Sequence, residues 1–230
     1  MALVKFGGGI VQASGSIAGT THARNRFGNY IRPRTKPVNP NSQRQANVRS
    51  AMKYLTNYWA EILSAENRTL WATYAAAIAM KNRLGESVYL TGFNHFIRAN
   101  IIWYQNELSV KDTGPSELSL PASAGGFAIT AASAGQSISF SFINTEAWAI
   151  EVGSRLWMFE GQAQGKTRNF FGGPWRFNHA VAGAEGGAET PSIHATVWGF
   201  AAGQKIWGYG RVQRVDGRIS NPFIVSCTAT

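Results

Sequence analysis

The sequence predicts an α+β protein built from an extended N-terminal arm, a small helical bundle and a C-terminal antiparallel β-sandwich. Three observations predict this fold class. The first 60 residues carry positive charge and no acidic residue, apolar residues then recur at helical spacing, and alternating apolar residues mark short strands in the last half. We place the arm at 1–45, the bundle at 46–106, a linker at 107–121 and the sandwich at 122–230.

The arm is defined by its charge. Nine lysine and arginine residues precede Glu61, the first acidic residue, so most of the net charge of +10 lies in this segment. A segment with one sign of charge and many glycines does not pack as an ordinary core. We therefore expect the arm to lie on an anionic partner or on a neighbouring subunit.

Local signals within the arm predict short strands and then an extended path. We expect paired strands at 10–13 and 20–24, a turn at 25–28 and an extended run at 29–32. The three prolines that follow, Pro33, Pro37 and Pro40, fix a polyproline-like path with few internal hydrogen bonds.

Three helices are predicted over residues 42–106, each with its own N-cap. Asn41 or Ser42 caps the first, Ser64 the second and Thr91 the third, and residues 81–91 are predicted as a loop. Each helix carries one apolar stripe. The stripes are Val48, Met52, Leu55, Trp59 and Ile62; Leu70, Trp71, Tyr74 and Ile78; and Phe93, Phe96, Ile97, Ile101 and Tyr104. These stripes favour a bundle, completed either within the chain or by another chain.

Short strands are predicted in the last 110 residues. The clearest is 137–142, where polar and apolar residues alternate strictly. The other candidate strands are 127–131, 155–159, 192–200, 205–215 and 218–227. Asp216 and Gly217 predict a two-residue hairpin turn between the last two. This number of short strands favours a β-sandwich.

Composition limits the class of protein. Charged residues make up 15% of the chain, against about 25% in an average soluble domain, so partners or a Gly/Ala/Ser-rich β surface cover much of it. Cys227 is the only cysteine, which excludes an intrachain disulfide. No apolar run suits a signal peptide or a membrane span, and we expect folding in a cytoplasm, without membrane contact.

Residue patterns for catalysis and metal binding are weak. Residues 161–167 approach a phosphate-binding loop, but Glu160 replaces the first glycine and no helical pattern follows, so we predict a β-hairpin turn there. The four histidines share no ligand spacing with one another or with Cys227. They are His22, His95, His179 and His194. We expect no enzyme activity, no metal, no cofactor and no small-molecule substrate.

Two parts of the chain resemble known families. Residues 203–207, 211–218 and 220–222 resemble the last hairpin of a fibronectin type III or immunoglobulin-like module, although Ile206 stands where such modules often place a tyrosine. The N-terminal half resembles an uncharacterised family of bacteriophage and prophage virion-associated proteins. The resembling segments are 15–19, 24–28, 32–34, 37–45, Trp71 and 91–94.

The virion resemblance implies a structural role. Expected partners are other copies of the chain and other virion proteins, in the capsid, at the head-to-tail junction or in the tail, after assembly in the host cytoplasm. The alternative is a packaging protein that binds nucleic acid nonspecifically through the arm. The candidate contact residues are the same for both: Arg24, Arg26, Tyr30, Arg32, Arg34, Lys36, Arg44 and Arg49.

A third reading concerns the aromatic residues of the β region. Phe170, Phe171, Trp175 and Phe177 lie in a glycine-rich stretch. They fit a carbohydrate- or surface-binding patch, or else a sandwich core or a subunit interface.

Overall fold

The structure, a computed structural model, describes residues 2–230 and confirms the mixed α+β class. Three α-helices lie in sequence between an N-terminal antiparallel sheet and two C-terminal antiparallel sheets. A fourth, two-stranded sheet separates the second and third helices. The strands form open sheets rather than a closed barrel.

Residues 2–33 form a four-stranded sheet in the order β1-β4-β3-β2. Its strands are β1 (Ala2–Val4), β2 (Gly15–Ile17), β3 (Thr20–Asn25) and β4 (Gly28–Pro33). The predicted strand at 20–24 is confirmed, and the predicted extended run at 29–32 lies within β4. The strand at 10–13 is wrong, because the tight connection at 18–19 places Ile17 opposite Thr20, so that the residues just before the turn become the partner of β3.

The N-terminal arm thus forms a sheet over residues 2–33, and the predicted turn at 25–28 is confirmed. Two tight turns, at 18–19 and at 26–27, fold the chain back on itself, and Gly28 supports the second with φ +122°. Residues 34–42, which contain Pro37 and Pro40, form neither helix nor strand, as predicted.

The three predicted helices are confirmed with their caps. They are α1 (Gln43–Asn57), α2 (Ala65–Ala77) and α3 (Gly92–Gln105). The Oγ of Ser64 accepts from the backbone N–H of Asn67 at 3.2 Å, and Thr91 does the same for Asn94 at 3.2 Å. Ser42 forms a capping box with Gln45. Local chemistry thus determines where each helix begins.

The apolar stripe of the first helix is only partly buried. Leu55 is fully enclosed, whereas Val48 is 46% exposed and Ile62 is 62% exposed. A π-helical segment, Tyr58–Ile62, extends α1 and has more residues per turn than an α-helix. Ile62 is therefore rotated away from the face on which Leu55 lies.

The predicted loop at 81–91 is wrong, because a small hairpin occupies it. β5 (Ala79–Lys81) pairs with β6 (Ser87–Tyr89). The side chain of Asn82 closes the turn by accepting from the backbone N–H groups of Leu84 and Glu86 at 2.9 and 3.0 Å. Strands of three residues are too short to show an alternating pattern in the sequence.

Two C-terminal sheets face each other across the largest apolar core. One has the order β10-β9-β12-β13 and the other β11-β8-β7. The strands are β7 (Ala128–Ala132), β8 (Ser137–Ser141), β9 (Arg155–Gly161), β10 (Trp175–Ala182), β11 (Ser192–Ala195), β12 (Lys205–Gln213) and β13 (Phe223–Thr228). Phe140 and Ile138 meet Leu156, Met158 and Ile206 in this core.

The predicted strands of this region are confirmed with changed limits. A further strand, β10, was not predicted. The last predicted strand starts at Phe223 instead of 218, because Pro222 has no N–H to donate to the sheet. The connection from β12 has a turn at 214–217, in which the N–H of Gly217 (φ +92°) donates to the carbonyl of Arg214 at 3.1 Å. The loop thus holds three residues between Arg214 and Arg218, not the two that were predicted. Arg214 also donates its Nε to Glu151, 2.6 Å away.

Helix α3 joins the helices to the C-terminal sheets through buried polar contacts. The buried amide of Gln213 accepts from Trp157 Nε1 at 2.7 Å and donates to the carbonyl of Ala99 at 2.7 Å. Arg98 donates to the backbone carbonyls of Ile219 and Ser220 at 3.0 and 2.8 Å. The helices and these sheets are therefore held in a fixed relative position.

Residues 107–121, predicted as a linker, contain neither helix nor strand but are anchored at several points. Asn100, buried in α3, bonds both backbone groups of Lys111. Trp71 Nε1 donates to the carbonyl of Asp112 at 2.9 Å, and Arg218 pairs with Glu117 at 2.6 Å. The segment is thus fixed on the helices at one end and on the last hairpin at the other.

Candidate functional site

The structure spreads the eight candidate contact residues over two separate elements. Six lie in or just after the N-terminal sheet: Arg24 in β3, Tyr30 and Arg32 in β4, Arg26 in the turn between them, and Arg34 and Lys36 in the irregular segment. Arg44 and Arg49 lie on α1. The seven cationic side chains are exposed and Tyr30 is half-buried.

The arginines of the N-terminal sheet do not form one continuous track. Arg24 lies opposite Asn29 and Arg32 opposite Thr21, so that Arg24 and Arg32 occupy opposite faces of the sheet. Arg49 is held by the side chains of Asn39 and Asn41 at 2.7 and 3.3 Å. Within residues 2–230, none of the seven cations pairs with a carboxylate.

The N-terminal sheet has no core of its own. No residue between 2 and 50 is buried. Several large apolar side chains in this region are exposed to solvent: Ile10 (56%), Val11 (90%), Ile17 (73%) and Val38 (87%). The ion pair of Lys5 with Glu86 connects the sheet to the β5–β6 hairpin. These side chains give the N-terminal region an exposed apolar surface.

A second candidate site is a cleft of about 880 Å³ between the helices and the four-stranded C-terminal sheet. One wall is formed by α1 and the end of α3, the other by β9 and β10, and residues 107–110 close one side. We call this the aromatic cleft. Its defining side chains are Tyr54, Tyr104, Phe159, Trp175 and Phe177.

The rings of the aromatic cleft are arranged in contacting sets on both walls. Tyr54 and Tyr104 stack with centroids 4.4 Å apart on the helical wall. On the sheet wall, Phe159 and Phe177 pack edge to face at 5.8 Å. Trp175 stacks on Tyr209 at 5.4 Å. Such packing holds each ring in a defined orientation.

Only part of this cleft was predicted. Trp175 and Phe177 belong to the aromatic stretch identified in the sequence, and both line the cleft, whereas Phe171 is buried and Phe170 is 74% exposed outside it. Tyr54 lies off the predicted stripe of the first helix, so no sequence pattern marked it.

Two histidines that share no spacing in the sequence meet where the edge strands β10 and β11 approach each other. His179 in β10 and His194 in β11 stack at 3.6 Å, and His194 Nε2 lies 2.6 Å from Ser192 Oγ. Burial lowers the pKa of both imidazoles, and that of His179 is lowered further by His194. Within residues 2–230, no cluster of three or more His, Cys, Asp or Glu side chains is arranged to hold a metal ion.

Other buried ionisable groups have structural partners. Glu160 is 1% exposed and accepts from the backbone N–H of Val197 at 2.8 Å and from Asn178 Nδ2 at 3.1 Å. Burial raises the pKa of Glu160. These contacts also explain why β11 ends at Ala195 and not at residue 200, since the chain turns there towards Glu160.

The phosphate-loop-like segment at 161–167 is part of the connection between β9 and β10, which pair as an antiparallel hairpin. The backbone of Gln164 exchanges both hydrogen bonds with Lys205 at 2.9 Å. The segment is followed by β10 and not by a helix, which confirms the predicted hairpin connection.

No protein-family model matches this chain, and a search of curated proteins also finds no match. In the part of the chain that the structure describes, no helix is long and apolar enough to cross a membrane.

Proposed function

We propose that the chain is a non-enzymatic structural component of a bacteriophage virion, assembled in the host cytoplasm, whose N-terminal sheet binds neighbouring subunits. Its partners are other copies of the chain and other virion proteins in the capsid, the head-to-tail region or the tail. The observation that carries this proposal is that residues 2–50 include no buried residue while Val11, Ile17 and Val38 are largely exposed.

Physical chemistry favours a covered N-terminal sheet. A small sheet is stable when an apolar face packs against something, and this one has no buried residue. Ordering backbone costs about 1–2 kcal/mol per residue, which the exposed ion pair of Lys5 with Glu86 does not offset. A neighbouring subunit would supply the missing apolar contact, and the two edge strands, β1 and β2, are free to pair with it.

For the C-terminal region we propose an immunoglobulin-like or fibronectin III-like β-sandwich. Two antiparallel sheets that share one apolar core support it, as does the last hairpin formed by β12 and β13. In a virion such a module would space or cement adjacent copies.

The alternative function is nonspecific nucleic-acid binding in packaging. The observation in its favour is that the arginines of the N-terminal segment are exposed and unpaired with carboxylates within residues 2–230. Six phosphate contacts would give a log–log salt slope of about −5. Because Arg24 and Arg32 lie on opposite faces of the sheet, they do not form one track for a nucleic-acid strand. We therefore prefer subunit contact to nucleic-acid binding.

Deletion of residues 1–40 tests the proposal. We expect the truncated protein to remain folded, because residues 2–40 include no buried residue. We expect the full chain to assemble in size exclusion with light scattering, and the truncated protein to have lost this assembly. A milder variant, Val11→Ser with Ile17→Ser, should also disassemble it. A control, Val152→Ser with Ile193→Ser, removes side chains elsewhere that are also largely exposed, and this variant should assemble normally.

Two results would contradict the proposal. One is a truncated protein that assembles as the full chain does, and the other is a truncated protein that no longer folds. A full-length monomer that carries nucleic acid removable by salt would favour the alternative.

A further inference from the structure

The aromatic cleft has the form of a preformed ligand site. Its volume of about 880 Å³ falls in the range of small-molecule sites in proteins. The two walls are fixed to each other, since Gln213 and Arg98 bond across the helix–sheet junction and Trp103 packs edge to face on Trp157 at 5.7 Å. A site whose walls are already held apart loses little conformational entropy on binding.

Aromatic rings are accessible on both walls of the cleft. Tyr54 is 40% exposed and Phe177 is 38% exposed, while Tyr104, Phe159 and Trp175 are half-buried. Rings on opposite walls suit a ligand with two flat, weakly polar faces. The C–H faces of a pyranose ring have this character, and so do the faces of a nucleobase.

The polar groups of the lining distinguish between these two ligands. Four uncharged polar side chains contribute to it: Asn47, Ser50, Gln105 and Ser109. Amides and hydroxyls both donate and accept, which suits the hydroxyl groups of a sugar. A nucleic-acid strand would instead need a series of cations along its phosphates.

The charged groups are too few and too balanced for such a strand. The lining has two arginines, Arg44 and Arg176, and one carboxylate, Glu107. The guanidinium of Arg176 already lies over the ring of Trp198, 4.5 Å from its centroid. The basic N-terminal segment of a second copy is also a poor occupant of the cleft, because the lining offers a single carboxylate to the many arginines of that segment.

From this combination of rings on both walls, neutral polar groups and nearly balanced charge, we propose that the aromatic cleft binds a neutral oligosaccharide. The rings would stack on the sugar faces, and the amides and hydroxyls would bond the sugar hydroxyls. The proposal is independent of the assembly function, because it rests on residues outside the N-terminal sheet.

Binding is tested on the full-length protein with neutral oligosaccharides of glucose, mannose, galactose and N-acetylglucosamine, by calorimetry and by tryptophan fluorescence, to which Trp175 contributes. We expect at least one of them to bind. Tyr54→Ala and Phe177→Ala should each weaken binding by about tenfold, or ~1.4 kcal/mol. Both side chains are over a third exposed, so folding should survive. Phe170→Ala, an exposed aromatic outside the cleft, is the matched control and should bind as the parent does.

Three outcomes would overturn the proposal. The first is that no neutral oligosaccharide binds at millimolar concentration. The second is that binding is unchanged in both cleft variants. The third is that a thymidine oligonucleotide binds in the cleft instead, and that this binding is lost in Arg44→Ala and at high salt. Assembly measured on the same variants is expected to be normal, so failure here leaves the proposed function untouched.

Discussion

Acidification from about pH 7 to about pH 5 should destabilise this protein, and His95 should account for a defined part of the loss. His95 lies in α3, is 2% exposed, and its ring packs edge to face on Tyr74 at 5.1 Å. Its Nε2 has no hydrogen-bond partner in the described structure. Burial, with a smaller effect of Arg98, lowers the pKa of His95 from 6.5 to about 4.

The direction of the effect follows from proton binding in the two states. Because the pKa of His95 is lower in the folded protein, the unfolded chain binds a proton first as the pH falls. The contribution of neutral His95 to stability is therefore fully present above pH 6.5 and is lost as the pH falls towards about 4. Between about pH 7 and about pH 5 the two pKa values give a loss of ~2 kcal/mol in the free energy of unfolding.

Urea unfolding of the full chain and of His95→Gln, at both pH values, measures this loss. Gln is close to His in volume and stays neutral, so the variant should lose ~2 kcal/mol less than the parent on acidification. His179 and His194 titrate with the same sign in both proteins and cancel in the comparison. An equal loss in parent and variant would refute the buried, neutral state of His95.

Two further predictions concern packing between elements. Gln213→Leu removes the partner of Trp157 Nε1–H and should cost about 2–4 kcal/mol in urea unfolding, whereas the exposed Gln162→Leu should cost almost nothing. Gly92→Ala would place a Cβ 2.8 Å from the backbone of α2 and should cost about 1–3 kcal/mol by forcing α2 and α3 apart, while Gly165→Ala, with open space around it, should be nearly neutral in thermal unfolding.

Features set by a few adjacent residues were predictable from the sequence. Ser42, Ser64 and Thr91 mark the helix starts because a cap involves contacts within four residues. The strand at Trp175–Ala182 escaped prediction because a register shift between Phe177 and His179 breaks its alternation, and the glycines before it suggest a loop.

The candidate sites were harder to predict from the sequence, because their residues come together only in the folded chain. The aromatic cleft brings Tyr54 of α1 together with Phe159 of β9, which are separated by more than a hundred residues. The contact of His179 with His194 likewise depends on how two sheets face each other. Charge bias marks the basic segment in the sequence, but only strand pairing shows that Arg24 and Arg32 lie on opposite faces of the sheet.

The connections between the parts of the molecule differ greatly in strength, and this difference bears on both proposals. The bonds of Arg98 and Gln213 across the helix–sheet junction are buried, so the cleft walls resist separation. The contacts of the N-terminal sheet with the rest of the chain include the ion pair of Lys5, whose side chain is 71% exposed, and such exposed pairs contribute little to stability. A neighbouring subunit could therefore reposition this sheet at little cost, while the cleft keeps its shape. Assembly and ligand binding would then be energetically separate, so loss of the N-terminal segment should leave the cleft intact.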